Sequence, residues 1–240
     1  YKKVNERPSL NANIFSDVLL PVPPVDVQQQ IVDGCKVFND EYIELHSQQQ
    51  QIEMNILRLF NGAQESAKYE YKLAIESDFE IGIGKRVVQS ELDDKGKMFV
   101  YSANVNEAVG KITRESILDN FDMPSVLWGI DGDWMVNFVD AKIPFYPTDH
   151  CGYIRVKNEK INPEYFSMVL EKEGIMVGFD RTNRASIERI SALVVKVPDI
   201  SIQNDIVSKC RKYKKEMLSI KEKKRKVLLK KERVFDELIK

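Results

Sequence analysis

The chain has 240 residues, 43% of them hydrophobic and 30% charged, with a formal net charge of −1. That composition supports a folded domain with a sizeable core and excludes a disordered polymer, while the near-zero charge conceals a segregation that leaves nucleic-acid binding open. The longest apolar runs, such as Val18-Leu19-Leu20-Pro21-Val22, fall far short of the ~20 residues a spanning helix needs, and the polar start Tyr1-Lys2-Lys3-Val4-Asn5-Glu6-Arg7-Pro8 does not read as a signal peptide.

In chain order, Pro23 and Pro24 end an extended stretch and Asp26 follows as an N-cap, so a helix is expected from about Val27 to Phe60. It would be about 50 Å long, with Asn61-Gly62 as its stop. Ile31, Phe38, Leu45, Ile52 and Leu59 recur every seven residues, and Cys35, Tyr42 and Ile56 thicken the stripe. A seven-residue repeat drifts around a straight helix and stays on one face only if two helices supercoil. Such a thin seam needs a partner helix.

The middle, about Tyr71 to Val197, reads as mixed α and β. Strands are expected at 97–101, 125–130, 134–139, 152–156 and 192–197, all rich in β-branched and aromatic residues. Asp131-Gly132-Asp133 reads as a tight hairpin turn, Asp93-Asp94-Lys95-Gly96 as another, and Pro163 to Gly174 as a helix with Tyr165, Phe166, Val169 and Leu170 on one face.

At Val197 the chain repeats itself. Val22 to Cys35 returns as Val197 to Cys210, with Pro198, Gln203, Ile206 and Val207 standing where Pro23, Gln28, Ile31 and Val32 stood. The same offset carries the seam onto Ile206, Tyr213, Ile220, Val227 and Val234, so a second helix is expected from about Ile202, with Ser201 as N-cap, to the C-terminus. The first helix is acidic and the second strongly basic, so the partner is expected to be internal, with flanking charges that attract. Of the three cysteines, Cys35 and Cys210 lie on these seams and Cys151 in the middle, which fits free thiols in a reducing cytosol and a cytoplasmic protein.

Catalytic patterns are scarce. The only histidines are His46 and His150, with no metal-ligand spacing. Cys151 neighbours His150, but adjacent strand residues point to opposite faces. Gly82-Ile83-Gly84-Lys85-Arg86 lacks the phosphate-loop pattern and reads as a turn with two exposed cations. Asn162-Pro163-Glu164-Tyr165 is close to the Asn-Pro-Pro-aromatic signature of adenine methyltransferases but reads as a helix start, lacking the second proline. Asp131, Asp133, Asp140 and Lys142 could imitate the acidic set and lysine of a metal-dependent nuclease. Two polar groups suit base edges and phosphates: Lys85, Arg86, Tyr101, Ser102, Asn104, Asn106 and Lys111, then Arg181, Asn183, Arg184 and Ser186.

The duplicated Val-Pro-x-x-x-x-Gln-x-x-Ile-Val helix starts, the run from Val126 to Trp134 (Val-Leu-Trp-Gly-Ile-Asp-Gly-Asp-Trp) and the run from Phe145 to Gly152 give the chain a resemblance over essentially its whole length. It resembles the specificity (S) subunits of type I restriction-modification systems. The resemblance implies an α+β fold, one mixed α/β target recognition domain flanked by two long helices packed as an antiparallel coiled coil. It divides the chain into a tail of a preceding recognition domain or N-terminal extension (1–23), in which Arg7-Pro8-Ser9-Leu10 echoes Arg184-Ala185-Ser186-Ile187, a first spacer helix (24–62), a recognition domain (63–198) and a second spacer helix (199–240). It also implies a non-catalytic module that reads half of a split DNA sequence, with no cofactor or metal. Its partners would be double-stranded DNA, DNA adenine methyltransferase subunits, a restriction/translocase subunit in the full complex and, for a half-subunit, a second copy; none is a membrane. A complete S subunit carries two recognition domains and this chain has room for one, which leaves a fragment, a natural half-subunit and the recognition end of a fused methyltransferase or restriction enzyme open beside the nuclease and a DNA-independent coiled-coil adaptor.

Overall fold

The computed structural model describes residues 22–239, so the reading of the N-terminal tail falls outside the described residues. Among the described residues, four helices, α1 (Val25–Glu65), α2 (Pro163–Val177), α3 (Ile187–Ser191) and α4 (Ile200–Ile239), accompany nine strands. These are β1 (Tyr69–Lys72), β2 (Phe79–Ile83), β3 (Met98–Tyr101), β4 (Gly110–Ile112), β5 (Ser125–Gly129), β6 (Val136–Val139), β7 (Phe145–Pro147), β8 (Cys151–Val156) and β9 (Val194–Val197). They form two compact units, 22–51 with 216–239, and Ile52–Lys215.

In the first unit α1 and α4 run antiparallel. Lys224 Nζ lies 3.1 Å from Gln49 Oε1 and 3.4 Å from His46 Nδ1, whereas Lys231, seven residues on, donates to Asn39 Oδ1 at 2.9 Å, seven residues back. Leu45, Ile220, Val227 and Cys35 are buried, while Ile31, Phe38, Tyr42 and Val234 are half-buried. Lys224 also sits over the Tyr42 ring, 4.7 Å from its centroid. Lys224 and Lys231 thus reach amide, imidazole and aromatic groups of α1, and the ion pairs of Glu222 with Arg225 and Lys226 run along α4 itself. Charge complementarity acts here as a field: Glu41 and Glu44 line one groove with Lys223, Lys226 and Lys230.

Both helices start earlier than their sequence predicts. Asp26 and Ser201 stand inside the first turns, and at α4 the backbone carbonyl of Asp199 accepts from Ile202 N and Gln203 N. The Asp199 carboxylate turns aside to Lys68 Nζ (2.6 Å) and Tyr69 Oη (3.1 Å). Helix α1 runs through Asn61-Gly62, because Ala63 is buried in the globular core and Ser66 closes the helix by donating to Gly62 O and Ala63 O. The duplicated motif keeps one bond in each copy: Gln28 Nε2 donates to Pro23 O at 2.7 Å and Gln203 Nε2 to Pro198 O at 2.8 Å.

The globular unit holds a four-stranded antiparallel sheet (β2-β8-β5-β6), a three-stranded sheet (β4-β3-β7) in which β3 and β7 are parallel, and the pair β1-β9. Four of these strands, β1, β2, β4 and β7, go beyond the five expected from sequence. Strand β5 is buried along its length, which explains its unbroken apolar run. Its alternate residues serve two cores: Val126 and Trp128 join Ile154, Tyr165, Phe166 and Leu170 of α2 and β8, while Leu127 joins Val105, Val139, Phe145 and Cys151. Ile206, Val207 and Cys210 at the root of α4, and Ala63 at the end of α1, complete the first core, so this unit extends beyond 63–198. Gln203, fully buried, clamps that root by accepting from Asn162 N (2.8 Å) and donating to Lys160 O (2.9 Å).

Asn162 is the N-cap of α2, accepting from Glu164 N and Tyr165 N, with Pro163 at the first helical position. The Asn-Pro-x-Tyr sequence is therefore a helix start. Asp93-Asp94-Lys95-Gly96 is a turn, closed by Gly96 N to Asp93 O at 2.8 Å, but it joins a 3₁₀ turn (Gln89–Glu91) to β3 rather than two strands.

Candidate nucleic-acid interface

The strand registers place one set of ends together. Gly129 of β5 pairs with Cys151 of β8, Ile83 of β2 with Gly152, and Tyr101 of β3 with Pro147 of β7. The C-terminal ends of β2, β3, β5 and β7 therefore share a rim with the N-terminal ends of β6 and β8, and this rim carries the loops at 84–88, 102–109, 130–135 and 148–150. The short 148–150 connection is the hub. Thr148 N donates to Tyr101 O (2.8 Å), Thr148 Oγ1 to Ser102 Oγ (3.2 Å), Lys85 N to Pro147 O (3.2 Å) and Ile130 N to His150 O (3.0 Å).

Two glycines permit these approaches. A Cβ on Gly84 would lie 1.7 Å from Pro147 O, and one on Gly129 would lie 2.3 Å from Ala103 O. The Gly82–Arg86 stretch is accordingly the end of β2 and its exit rather than a turn, with glycine demanded by packing. Lys85 and Arg86 are exposed there as expected, and Arg114 braces the backbone by donating to Arg86 O at 3.2 Å.

The first polar group lies along this rim. Tyr101 ends β3, half-buried, its phenol pushed up by burial. Asn104 and Asn106 are exposed, and Asn104 Oδ1 accepts from Asn106 N at 3.0 Å, which shapes the loop and leaves the Asn104 Nδ2 as a donor. Val105 between them is buried and held by Asn137 Nδ2, which donates to its carbonyl at 2.7 Å. Lys111 lies in β4 with its ammonium 5.3 Å from the Phe99 ring centroid.

The second group reaches the same rim through two bonds: Ala185 N donates to Ile130 O (3.2 Å), and buried Trp128 Nε1 donates to Ala185 O (2.9 Å). Within that loop the residues differ in what they can offer. Asn183 donates to Val177 O and Gly178 O and accepts from Arg189 Nη1, so its amide is a strut of the loop. Ser186 is the N-cap of α3. Arg181 is exposed, and Arg184 Nε pairs with Asp131 Oδ1.

Asp131, read from sequence as a turn residue and as a member of the alternative acidic set, ties three loops together. Its other oxygen pairs with His150 Nδ1, so one carboxylate joins the 130–135, 148–150 and 180–186 loops. Burial pushes its acidity one way, but the hydrogen bond from His150 and the charge and hydrogen bond of Arg184 outweigh it and hold the carboxyl below its ordinary value. Thr148 and His150, the hub residues, were likewise not singled out for this rim; the signal available was a polar Thr-Asp-His between two strand-like runs.

Asp140 follows β6 at the end of the hairpin opposite to Asp131, so the acidic set considered for a nuclease does not converge. Among the described residues no group of three or more His, Cys, Asp or Glu side chains is placed to hold a metal. Cys151 is fully buried and its thiol is pushed far up by burial, while His150 is half-exposed on the other side of the strand end. Cys35, Cys151 and Cys210 are all free. Among the described residues, no helix is long and apolar enough to cross a membrane.

No curated protein matches the sequence. Among solved structures, the fold is similar to the S subunit of a type I restriction-modification system from M. genitalium, at 16% identity and a TM-score of 0.57, covering 89% of this chain and 60% of that one. It is also similar to the HsdS subunit from Thermoanaerobacter tengcongensis, at 12% identity and a TM-score of 0.55 over 99% and 64% of the two chains. A third similar chain comes from work on complex assembly and conformational transition of the type I restriction-modification system, at 13% identity and a TM-score of 0.60 over 97% and 64%. The chain thus spans 60–64% of the length of each of these structures. The sequence matches the profile of the type I restriction modification DNA specificity domain over residues 74–230, the greater part of its length, and the chain belongs to that family.

Proposed function

We propose that this chain is a non-catalytic DNA-recognition module that reads one half of a bipartite target through the rim of residues 63–198. Helices 24–62 and 199–240 act as the spacer and as the docking site for methyltransferase subunits, and through them for the restriction subunit. The observation that carries this reading is the convergence of two polar loop groups on one rim of a rigid double core, with Lys85, Arg86, Asn104, Asn106, Arg181 and Arg184 as the groups available to DNA. Rigid strands presenting polar loops suit base readout, and the exposed cations supply phosphate contacts that set register without reading sequence. The paired helices add a second element: a basic α4 and an acidic α1 offer partner subunits a long surface of fixed polarity.

The test is binding and chemistry measured together. Purified with the methyltransferase encoded beside it, the protein is expected to retain duplex DNA in a salt-dependent and sequence-dependent way. The chain alone is expected neither to cut DNA with magnesium nor to methylate it with S-adenosylmethionine. Activity of the isolated chain, or failure to co-purify with any neighbouring methyltransferase, contradicts the reading.

A further inference from the structure

We infer that Asp131 is a specificity-determining positioning residue: it pins Arg184 through Nε so that the outer edge of the guanidinium is offered to a guanine and the arginine is withheld from the DNA backbone. This rests on the rim being the DNA-reading face. The geometry is a carboxylate with both oxygens occupied, Oδ2 by His150 Nδ1 and Oδ1 by Arg184 Nε. With Nε on the carboxylate, the end-on edge of the guanidinium formed by its two terminal nitrogens makes no hydrogen bond among the described residues, and the side chain is more than half exposed. That terminal edge is the fork that matches guanine O6 and N7.

The backbone beneath is equally fixed. Arg184 O accepts from Arg189 Nη1 at 3.2 Å, Ala185 N donates to Ile130 O at 3.2 Å, and Ala185 O accepts from Trp128 Nε1 at 2.9 Å. A side chain held at both root and guanidinium loses little entropy on binding, which is the condition for sharp readout. Charge supplies the selectivity. A carboxylate beside the guanidinium, with Asp149 3.9 Å from His150 Nε2, offsets the attraction of Arg184 for phosphate but leaves its bonds to neutral base acceptors intact.

Removing the carboxylate therefore moves two quantities in opposite directions, which loss of a structural contact does not. Asp131→Asn should raise affinity for unrelated duplexes and steepen the salt slope by up to about one unit, as an unpinned arginine finds phosphate. The same variant should lose roughly 5- to 150-fold of the preference for guanine at one position. Arg184→Lys keeps the charge and lacks the fork, so it should blur the same position, and combining the two should add nothing further.

The experiment uses the full chain assembled with its methyltransferase subunits and a pool of random-sequence duplexes, with bound DNA sequenced at several salt concentrations. The expected result is a motif for the wild type, one guanine position blurred in both variants, and stronger background retention for Asp131→Asn alone. A wild-type motif that Asp131→Asn leaves intact, or that the two variants blur at different positions, overturns the role of Asp131 and leaves the DNA-reading face standing. Absence of any wild-type motif overturns both.

Discussion

Gln203 and Gln28 occupy the same place in the duplicated motif and make the same bond to a prolyl carbonyl, yet their surroundings differ. Gln203 is fully buried and makes three bonds, to Pro198 O, Lys160 O and Asn162 N, whereas the Gln28 side chain is exposed and among the described residues bonds to Pro23 O. Gln203→Leu fills the space without the bonds and strands Asn162 N–H and two carbonyls at the junction of α4 with the recognition core. An orphaned buried donor or acceptor costs about 1–3 kcal/mol, and with partial access of water to Lys160 the total should be about 3 kcal/mol. For a chain of this size that lowers Tm by about 6–12 °C. Gln28→Leu should stay within about 0.5 kcal/mol of wild type. Melts followed by far-UV circular dichroism and by tryptophan fluorescence measure both, since Trp128 and Trp134 report on the globular unit. Equal shifts for the two variants would refute the assignment of Gln203 as the clamp between helix and domain.

Leu45 is buried in the helix pair, so Leu45→Ala should cost about 2–5 kcal/mol and Leu45→Asp more, seen as loss of helical signal on melting; unchanged melts would contradict the paired seam. Lys85→Ala should weaken binding of the assembled complex to all duplexes alike and flatten the salt slope by about one unit, whereas Asn104→Ala should cost roughly 1–3 kcal/mol on the target and little elsewhere. Equal losses on target and scrambled DNA for Asn104→Ala would remove it from base readout. The Asp199 carboxyl is held low by the hydrogen bond from Lys68 and then by that from Tyr69, and Lys68 is correspondingly raised. A lowered carboxylate contributes stability above its unfolded value, so the contribution should fade below about pH 4. The raised lysine loses its share above about pH 10. Asp199→Asn should flatten both limbs of a pH–stability curve, and an unchanged acid limb would contradict the pairing.

The long helices were legible because heptads and the Val-Pro…Gln…Ile-Val repeat are local patterns, and the five strands read from sequence are those with continuous β-branched or aromatic runs. The missing strands were short or disguised. Strand β7 is Phe-Tyr-Pro and β4 is Gly-Lys-Ile, both below the length at which periodicity speaks, and β2 was passed over for the glycines of Gly82-Ile83-Gly84. Those glycines answer to the Tyr153 ring and the Pro147 backbone, which only the tertiary structure brings near. Likewise the two polar groups were visible as separate loops. Their meeting depends on the parallel pairing of β3 with β7 and on Trp128 reaching Ala185, contacts between segments distant in sequence. Helix ends were displaced for a related reason: burial of Ala63 carried α1 through a glycine that in isolation marks a stop.

The central claim is that the rim of residues 63–198 reads DNA sequence. Its most direct test is fluorescence anisotropy of the methyltransferase-assembled protein, titrated against a duplex carrying the motif selected from the random pool and against a scrambled duplex, at several salt concentrations. The account predicts binding to the motif about a thousandfold tighter or more, with a salt slope shared by both duplexes and a preference that loop substitutions such as Asn104→Ala erode. Equal affinities for motif and scrambled DNA at every salt concentration, or a preference untouched by every rim substitution, would contradict it.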